Sequence, residues 1–201
     1  DESEVAAEGK TTKGAFSLKG QLPEPALYFI KIGNTEPQHI YLENAPIKIN
    51  AAKASIKNIK IQGSAAHKDF EAFRTTFNPL IGELSGFAAR INKVTSQEEY
   101  DRLMVQYDSM TQVVQAEVGR FIEAHPASFV SPFLLFVTAQ VGEDPLLMEK
   151  RFNSLSQTVR QSQIGKSLGE YIAQMKIGAV GTEAVDFVQN DTANIPVALS
   201  S

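Results

Sequence analysis

The chain has 201 residues, 43% of them hydrophobic and 21% charged, enough to bury a core in one or two small domains and too apolar for wholesale disorder. Nineteen Lys and Arg stand against 23 Asp and Glu for a net charge of −4; the basic residues are spread along the chain and leave no electrostatic footprint for nucleic acid. Cysteine is absent, which excludes disulfides, thiolate metal sites and a cysteine nucleophile within these residues. The longest apolar run, Phe133 to Val137, falls far short of the ~18 residues that span a bilayer. His39, His67 and His125 lie far apart and off metal-ligand spacing, so no metal or cofactor site is expected. The chain begins at Asp1 with no charged-then-apolar leader, which reads as a start inside a processed or engineered product.

The first third reads as strands. Phe16 and Leu18, Ile47 and Ile49, and Ile59 and Ile61 alternate with polar residues, the period-2 pattern of half-buried antiparallel strands. Ala26 to Ile32 is apolar on both faces, as a central strand would be, and His39 to Glu43 is a shorter strand. Turn residues separate them at Lys13-Gly14, Pro23-Glu24-Pro25, Gly33-Asn34 and Glu43 to Pro46. Short strands without intervening helices predict a small antiparallel sandwich or meander over 1–63.

The period changes at Gly63-Ser64. Phe70, Phe73, Phe77, Leu80, Ile81, Leu84 and Phe87 recur at threes and fours, predicting an amphipathic helix with Ser64 as N-cap and a kink or division at Pro79. Ser96-Gln-Glu-Glu99 reads as a capping box for a second long helix, with Tyr100, Leu103, Met104, Tyr107, Met110, Val114, Val118, Phe121 and Ile122 on one face, ended by His125-Pro126. Ser131-Pro132 and Asp144-Pro145 each place a cap and a first-turn proline before a shorter helix, and Gly142 can terminate the first of these. A last helix is expected over about Ser162 to Lys176, burying Ile164, Leu168, Ile172 and Met175. The helical block thus covers 64–178, and strands followed by helices is the α+β order. The segment 179–201 has strand-like pieces and turn residues but is too short for a core of its own.

Gly181, Ala184, Asp186-Phe187, Asp191 and Val197-Ala-Leu-Ser200 resemble the opening of the redoxin domain in TlpA/ResA-type thiol-disulfide oxidoreductases, where Gly-x-x-Ala-Pro-Asp-Phe leads into a hairpin ending Val-x-Leu-Ser. Val185 stands where that family has proline, and Ile195-Pro196 where a glycine turn is common. Upstream, Phe16 to Gly20, Leu27 to Ile30, Tyr41 to Asn44, Ile47 to Ile49 and Ile61 to Ser64 resemble the strands of the uncharacterised domain that precedes the redoxin domain in such Gram-negative proteins. Phe121 to Ser128 and Ser131 to Leu134 resemble its helical portion. Family members usually carry a further pair of strands ahead of the position of Val5.

The resemblance implies a non-catalytic accessory region of a periplasmic or outer-membrane-anchored lipoprotein of cell redox homeostasis, joined to a truncated thioredoxin-like start at 179–201. The Trp-Cys-x-x-Cys segment that performs exchange in the family lies beyond these residues. The implied partners are the chain's own C-terminal redoxin domain, a second copy as a homodimer, and exported protein substrates. The alternative is a stand-alone envelope module that holds a carbohydrate or peptide, for which an exposed patch around Tyr28, Phe29 and Tyr41 would speak.

Other side chains have plainer readings than chemistry. Ser64, His67 and Asp69 suggest a triad, but at a helix start this spacing serves capping. His125 suits a helix C-terminus, and Glu98, Glu99 and Asp101 suit a first turn. Asp186 and Asp191 suit turns, and Phe70, Phe73, Phe77 and Phe87 at helical spacing suit core rather than a ligand groove. Asn190-Asp-Thr192 matches a glycosylation sequon, without meaning in a bacterial protein. No residue is expected to be catalytic.

Overall fold

The computed structural model describes residues 5–52, 55–142, 144–182 and 186–200. Among these, strands β1 (Ala26–Ile30), β2 (Gln38–Leu42), β3 (Lys48–Ala52) and β4 (Ser55–Gln62) come first. Helices α1 (Ala65–Ile91), α2 (Gln97–Ala124), α3 (Val130–Thr138), α4 (Pro145–Ser154), α5 (Gln157–Gln161) and α6 (Gln163–Met175) follow, then strands β5 (Val188–Asn190) and β6 (Pro196–Ala198). The fold is α+β, antiparallel strand pairs and then helices. The chain divides into two compact units, Asp1–Phe70 and Glu71–Ser201.

In the first unit the meander takes the form of successive hairpins. β1 pairs with β2 with Leu27 opposite Tyr41 and Phe29 opposite His39, and β3 pairs with β4 with Ile49 opposite Ile61. The described strands form separate two-stranded sheets. β1 therefore does not occupy a central position, and Phe29 is 62% exposed, lying against the His39 ring at 4.6 Å. The strand expected at Phe16–Leu18 is also absent. An isolated bridge between Thr12 and Ala15 precedes it, and among the described residues no ladder takes up its backbone; alternation supplies an apolar face but not the partner a strand requires. The chain is tied down beyond it by Asn44, whose Oδ1 accepts from Leu22 N at 2.8 Å and whose Nδ2 donates to Leu22 O at 2.7 Å. At the close of β4, Gly63 adopts φ +91° and brings its Cα against the Pro46 carbonyl, leaving no room for a Cβ.

In the second unit α1 continues through Pro79 without division. Proline cannot donate to the carbonyl of Thr75, but both residues lie on the exposed face, where water can serve that carbonyl, so the cost falls short of a break. α2 buries Leu103, Val114, Val118, Phe121 and Ile122, close to the expected stripe. Its N-cap Ser96 has extended backbone angles but makes no side-chain cap bond, so the capping box supplies a start signal without its hydrogen bond. α3 starts at Val130, ahead of the expected cap at Ser131. The Ser131 hydroxyl donates back to the His125 carbonyl at 2.7 Å, while Ser128 Oγ accepts from Val130 N at 3.2 Å. Asp144 caps α4 through Leu146 N at 2.8 Å, as expected, and Ser162, expected only as the approximate start of the last helix, caps α6 through Gly165 N at 3.1 Å. α5, capped by Ser156, is one turn that the pattern did not reveal.

The core of this unit is mainly aliphatic, with Phe77 and Phe121 buried as well. Val130, Leu134, Leu135, Met148, Val159 and Leu168 are fully buried with Leu103, Val114 and Val118, each contributing about 1.5–3 kcal/mol. α6 packs on α3, α4 and α5, and α2 on α3 and α4. Arg151 ties α4 to α2, Nη1 donating to Gln115 Oε1 and Nη2 to Gln115 O, both at 2.6 Å, and Gln115 Nε2 donates to Val141 O at 2.9 Å.

Candidate functional site

Ser64 and His67 meet at the junction of β2 and α1, arranged for architecture. Ser64 Oγ accepts from His67 N at 2.9 Å and donates its proton to the Tyr41 carbonyl at 3.3 Å. His67 Nδ1 accepts from Tyr41 N at 3.3 Å. The hydroxyl proton therefore points at a carbonyl and the Nδ1 lone pair is taken by a peptide N–H, which is not nucleophile–base geometry. Asp69 is half-exposed, two residues further along α1. Glu43, which the sequence placed at a strand end and turn, accepts from Ala66 N through Oε1 at 3.2 Å and so satisfies another N–H of the helix start. Tyr41 is 2% exposed; burial, and secondarily the nearby Glu24 carboxylate, push its phenol up to about 12.

The remaining candidates scatter. His125 is the C-cap of α2, stacked on Phe121 at 4.4 Å. Glu98 and Glu99 lie in the first turn of α2, and Asp101 accepts from Gln97 Nε2 at 2.7 Å. Phe70, Phe73 and Phe77 are buried, with Phe73 stacked on Phe77 at 5.3 Å and edge-on to Phe133 at 5.7 Å; Phe87 is half-exposed. Tyr28, Phe29 and Tyr41 do not form one exposed patch: Tyr41 is buried, and Tyr28 lies opposite Ile40 on the other face of the hairpin from Phe29. Among the described residues no group of three or more His, Asp or Glu is placed to hold a metal ion, and no helix is long and apolar enough to cross a membrane.

Concavities in the second unit include a pair lined by described residues. One, of about 260 Å³, is lined by Glu149, Phe152, Asn153, Gly169, Ile172 and Lys176, and at its rim Lys176 Nζ donates to both Glu149 carboxylate oxygens at 2.8 Å. The other, of about 430 Å³, runs along α1 beside Phe73, Phe77 and Ile81 and reaches Val137 and Thr138 of α3. Neither gathers the convergent polar groups of a binding site, since the Glu149–Lys176 pair is internally satisfied and Thr138 Oγ1 donates to Leu134 O at 2.8 Å.

The surface that stands out is the hairpin of β5 and β6. Val188 faces Ala198, Gln189 faces Val197 and Asn190 faces Pro196. Asp191 builds the turn, its Oδ1 accepting from Ala193 N at 2.8 Å and Ile195 N at 2.9 Å, with Asn194 at φ 62°. Asp186 clasps the open end, accepting from Ser200 N at 3.1 Å and Ser200 Oγ at 2.9 Å, while Leu199 N donates to Phe187 O at 2.9 Å. Asp191 thus serves the turn expected of it, while Asp186, also expected in a turn, instead makes a clasp to Ser200 across 14 residues that had no local signal. Period 2 places Phe187, Val197 and Leu199 on one face, and they are 54%, 46% and 56% exposed. Ala184 and Val185 of the redoxin resemblance lie outside the described residues.

Residues 6–70 match the family described as Domain of unknown function (DUF4369). No curated protein and no solved structure matches the chain.

Proposed function

We propose that this chain is the non-catalytic accessory region of an envelope thiol-disulfide oxidoreductase, and that β5 and β6 form the first hairpin of its thioredoxin-like domain. The hairpin carries the reading. A two-stranded hairpin is marginal in water without a third strand or a packed face, and this one leaves Phe187, Val197 and Leu199 uncovered at the position where the sequence resembles a redoxin opening. A thioredoxin-like domain is the occupant that continues such a hairpin. The DUF4369 match over 6–70 spans the strand segments on which the upstream resemblance rests.

The accessory region positions that domain, pairs with a second copy or meets exported protein substrates, in the periplasm or anchored at the outer membrane. The exchange chemistry belongs to the domain beyond it: a thiolate attacks a disulfide sulfur, one S–S bond forms as another breaks, and the leaving sulfur departs as thiolate. With no cysteine, these 201 residues cannot supply that thiolate. The test is an insulin-reduction or dithiol-exchange assay on this chain and on the product of the natural gene. Exchange by the gene product alone is expected; exchange by the cysteine-free chain, or a gene product without Cys-x-x-Cys, overturns the reading.

A further inference from the structure

We infer that the contact between β2 and the start of α1 is an acid-sensitive latch: protonation of His67 removes the acceptor that holds Tyr41, and releases the β1–β2 hairpin from the helix. The geometry is specific about the imidazole. His67 is 5% exposed, and its Nδ1 accepts the Tyr41 peptide N–H at 3.3 Å. A nitrogen that accepts carries a lone pair, so the ring must be neutral with its proton on Nε2. A second proton could go only to Nδ1, where it would point at the Tyr41 N–H. The imidazolium and this hydrogen bond are mutually exclusive.

Glu43 Oε1 also joins the end of β2 to the helix start through Ala66 N, and the Tyr41 backbone is held by two side chains. Tyr41 gives its N–H to His67 and its carbonyl accepts from Ser64 Oγ at 3.3 Å, so two side chains of one helix turn replace a neighbouring strand along the edge of β2. Ring contacts supplement them, Tyr41 to Phe70 at 5.6 Å and His67 to Phe70 at 6.0 Å. When Nδ1 is protonated, the Tyr41 N–H is left without an acceptor beside a charged ring, and both groups gain by moving into water.

Among the described residues, the titratable groups on the neighbouring segments are Tyr41 from β2 and Glu43 just after it, Glu24 from the segment before β1, and Lys68 and Asp69 on α1 itself. Glu43 holds Ala66 N, and Tyr41 stays neutral well above neutral pH. The position at Nδ1 itself is taken by the Tyr41 N–H. The unfolded chain binds a proton on His67 with the ordinary value of ~6.5, while the latched state gives it no place, so the latch weakens as pH falls through that range.

Hydrogen exchange at the Tyr41 amide, corrected for its intrinsic rate, reads the opening constant directly. Between pH 7.5 and 5.5 the wild-type constant is expected to rise roughly tenfold. In His67→Asn it is expected to stay flat, because Asn places a non-titrating carbonyl oxygen near the position of Nδ1. An equal rise in both proteins, or no rise in the wild type, overturns the latch. Should His67→Asn not fold, nitrogen NMR of the wild-type imidazole decides: an unprotonated Nδ1 at pH 7.5 with loss of Tyr41 amide protection at pH 5.5 supports the latch, and a protonated Nδ1 at pH 7.5 or protection unchanged at pH 5.5 refutes it.

Discussion

Tyr41 should make the first unit sensitive to alkali. Its phenol sits near 12 in the fold against ~10 in the unfolded chain, because burial and then Glu24 oppose the phenolate. A group raised in the folded state contributes stability that is complete below its unfolded value and is lost as pH climbs toward its folded one. At pH 11 the unfolded tyrosine is about nine-tenths ionised and the folded one about one-tenth, which removes about 1.4 kcal/mol, and the loss approaches twice that at pH 12. The assay is urea unfolding of the wild type and Tyr41→Phe at pH 9 and pH 11, with the β1–β2 amides as reporters. Phe keeps the ring against Phe70 and removes the titration, so the wild type should lose about 1.4 kcal/mol more than the variant between the two pH values. Equal losses would mean that the phenol is solvated, and would refute the burial assigned to it.

Three further substitutions test the architecture. A methyl group at Gly165 would overlap the Val159 carbonyl oxygen and lie 2.7 Å from that of Arg160, so Gly165→Ala should destabilise the second unit by about 3 kcal/mol or more, read by thermal or urea unfolding. Ser162→Ala removes the cap bond to Gly165 N and should cost about 1 kcal/mol, whereas Ser96→Ala removes no bond and should cost less than about 0.5 kcal/mol; the reverse order in calorimetry would contradict the helix starts. Phe187→Ser should change the stability of this chain by less than about 0.5 kcal/mol, since the ring is 54% exposed, and under the proposed reading should destabilise the product of the natural gene by clearly more, in parallel unfolding experiments.

Helix positions were legible where period and cap coincide. Asp144-Pro145 and Ser162 mark the starts of α4 and α6 and make the cap bonds their chemistry suggests, and the Phe70, Phe73, Phe77 stripe is buried. Legibility failed where a residue's partner is distant or a local signal is incomplete. Phe16 and Leu18 alternate like a strand but find no ladder, and Pro79 sits on a solvent face that spares α1 a break. Ser96 begins α2 without bonding to it, and Ser131 turns its hydroxyl back to His125. The junction of β2 and α1 was half legible: Ser64 as a cap is a local pattern, while its bond to Tyr41 crosses 23 residues and His67's acceptor role crosses 26. No periodicity carries such information, because it resides in tertiary placement.

The uncovered hairpin is the feature on which the functional account turns. Hydrogen–deuterium exchange over residues 187–199, in this chain and in the product of the natural gene, tests it most directly. The account predicts rapid exchange in the chain alone and strong protection in the gene product, where a thioredoxin-like sheet covers Phe187, Val197 and Leu199. Equal exchange in both would contradict it.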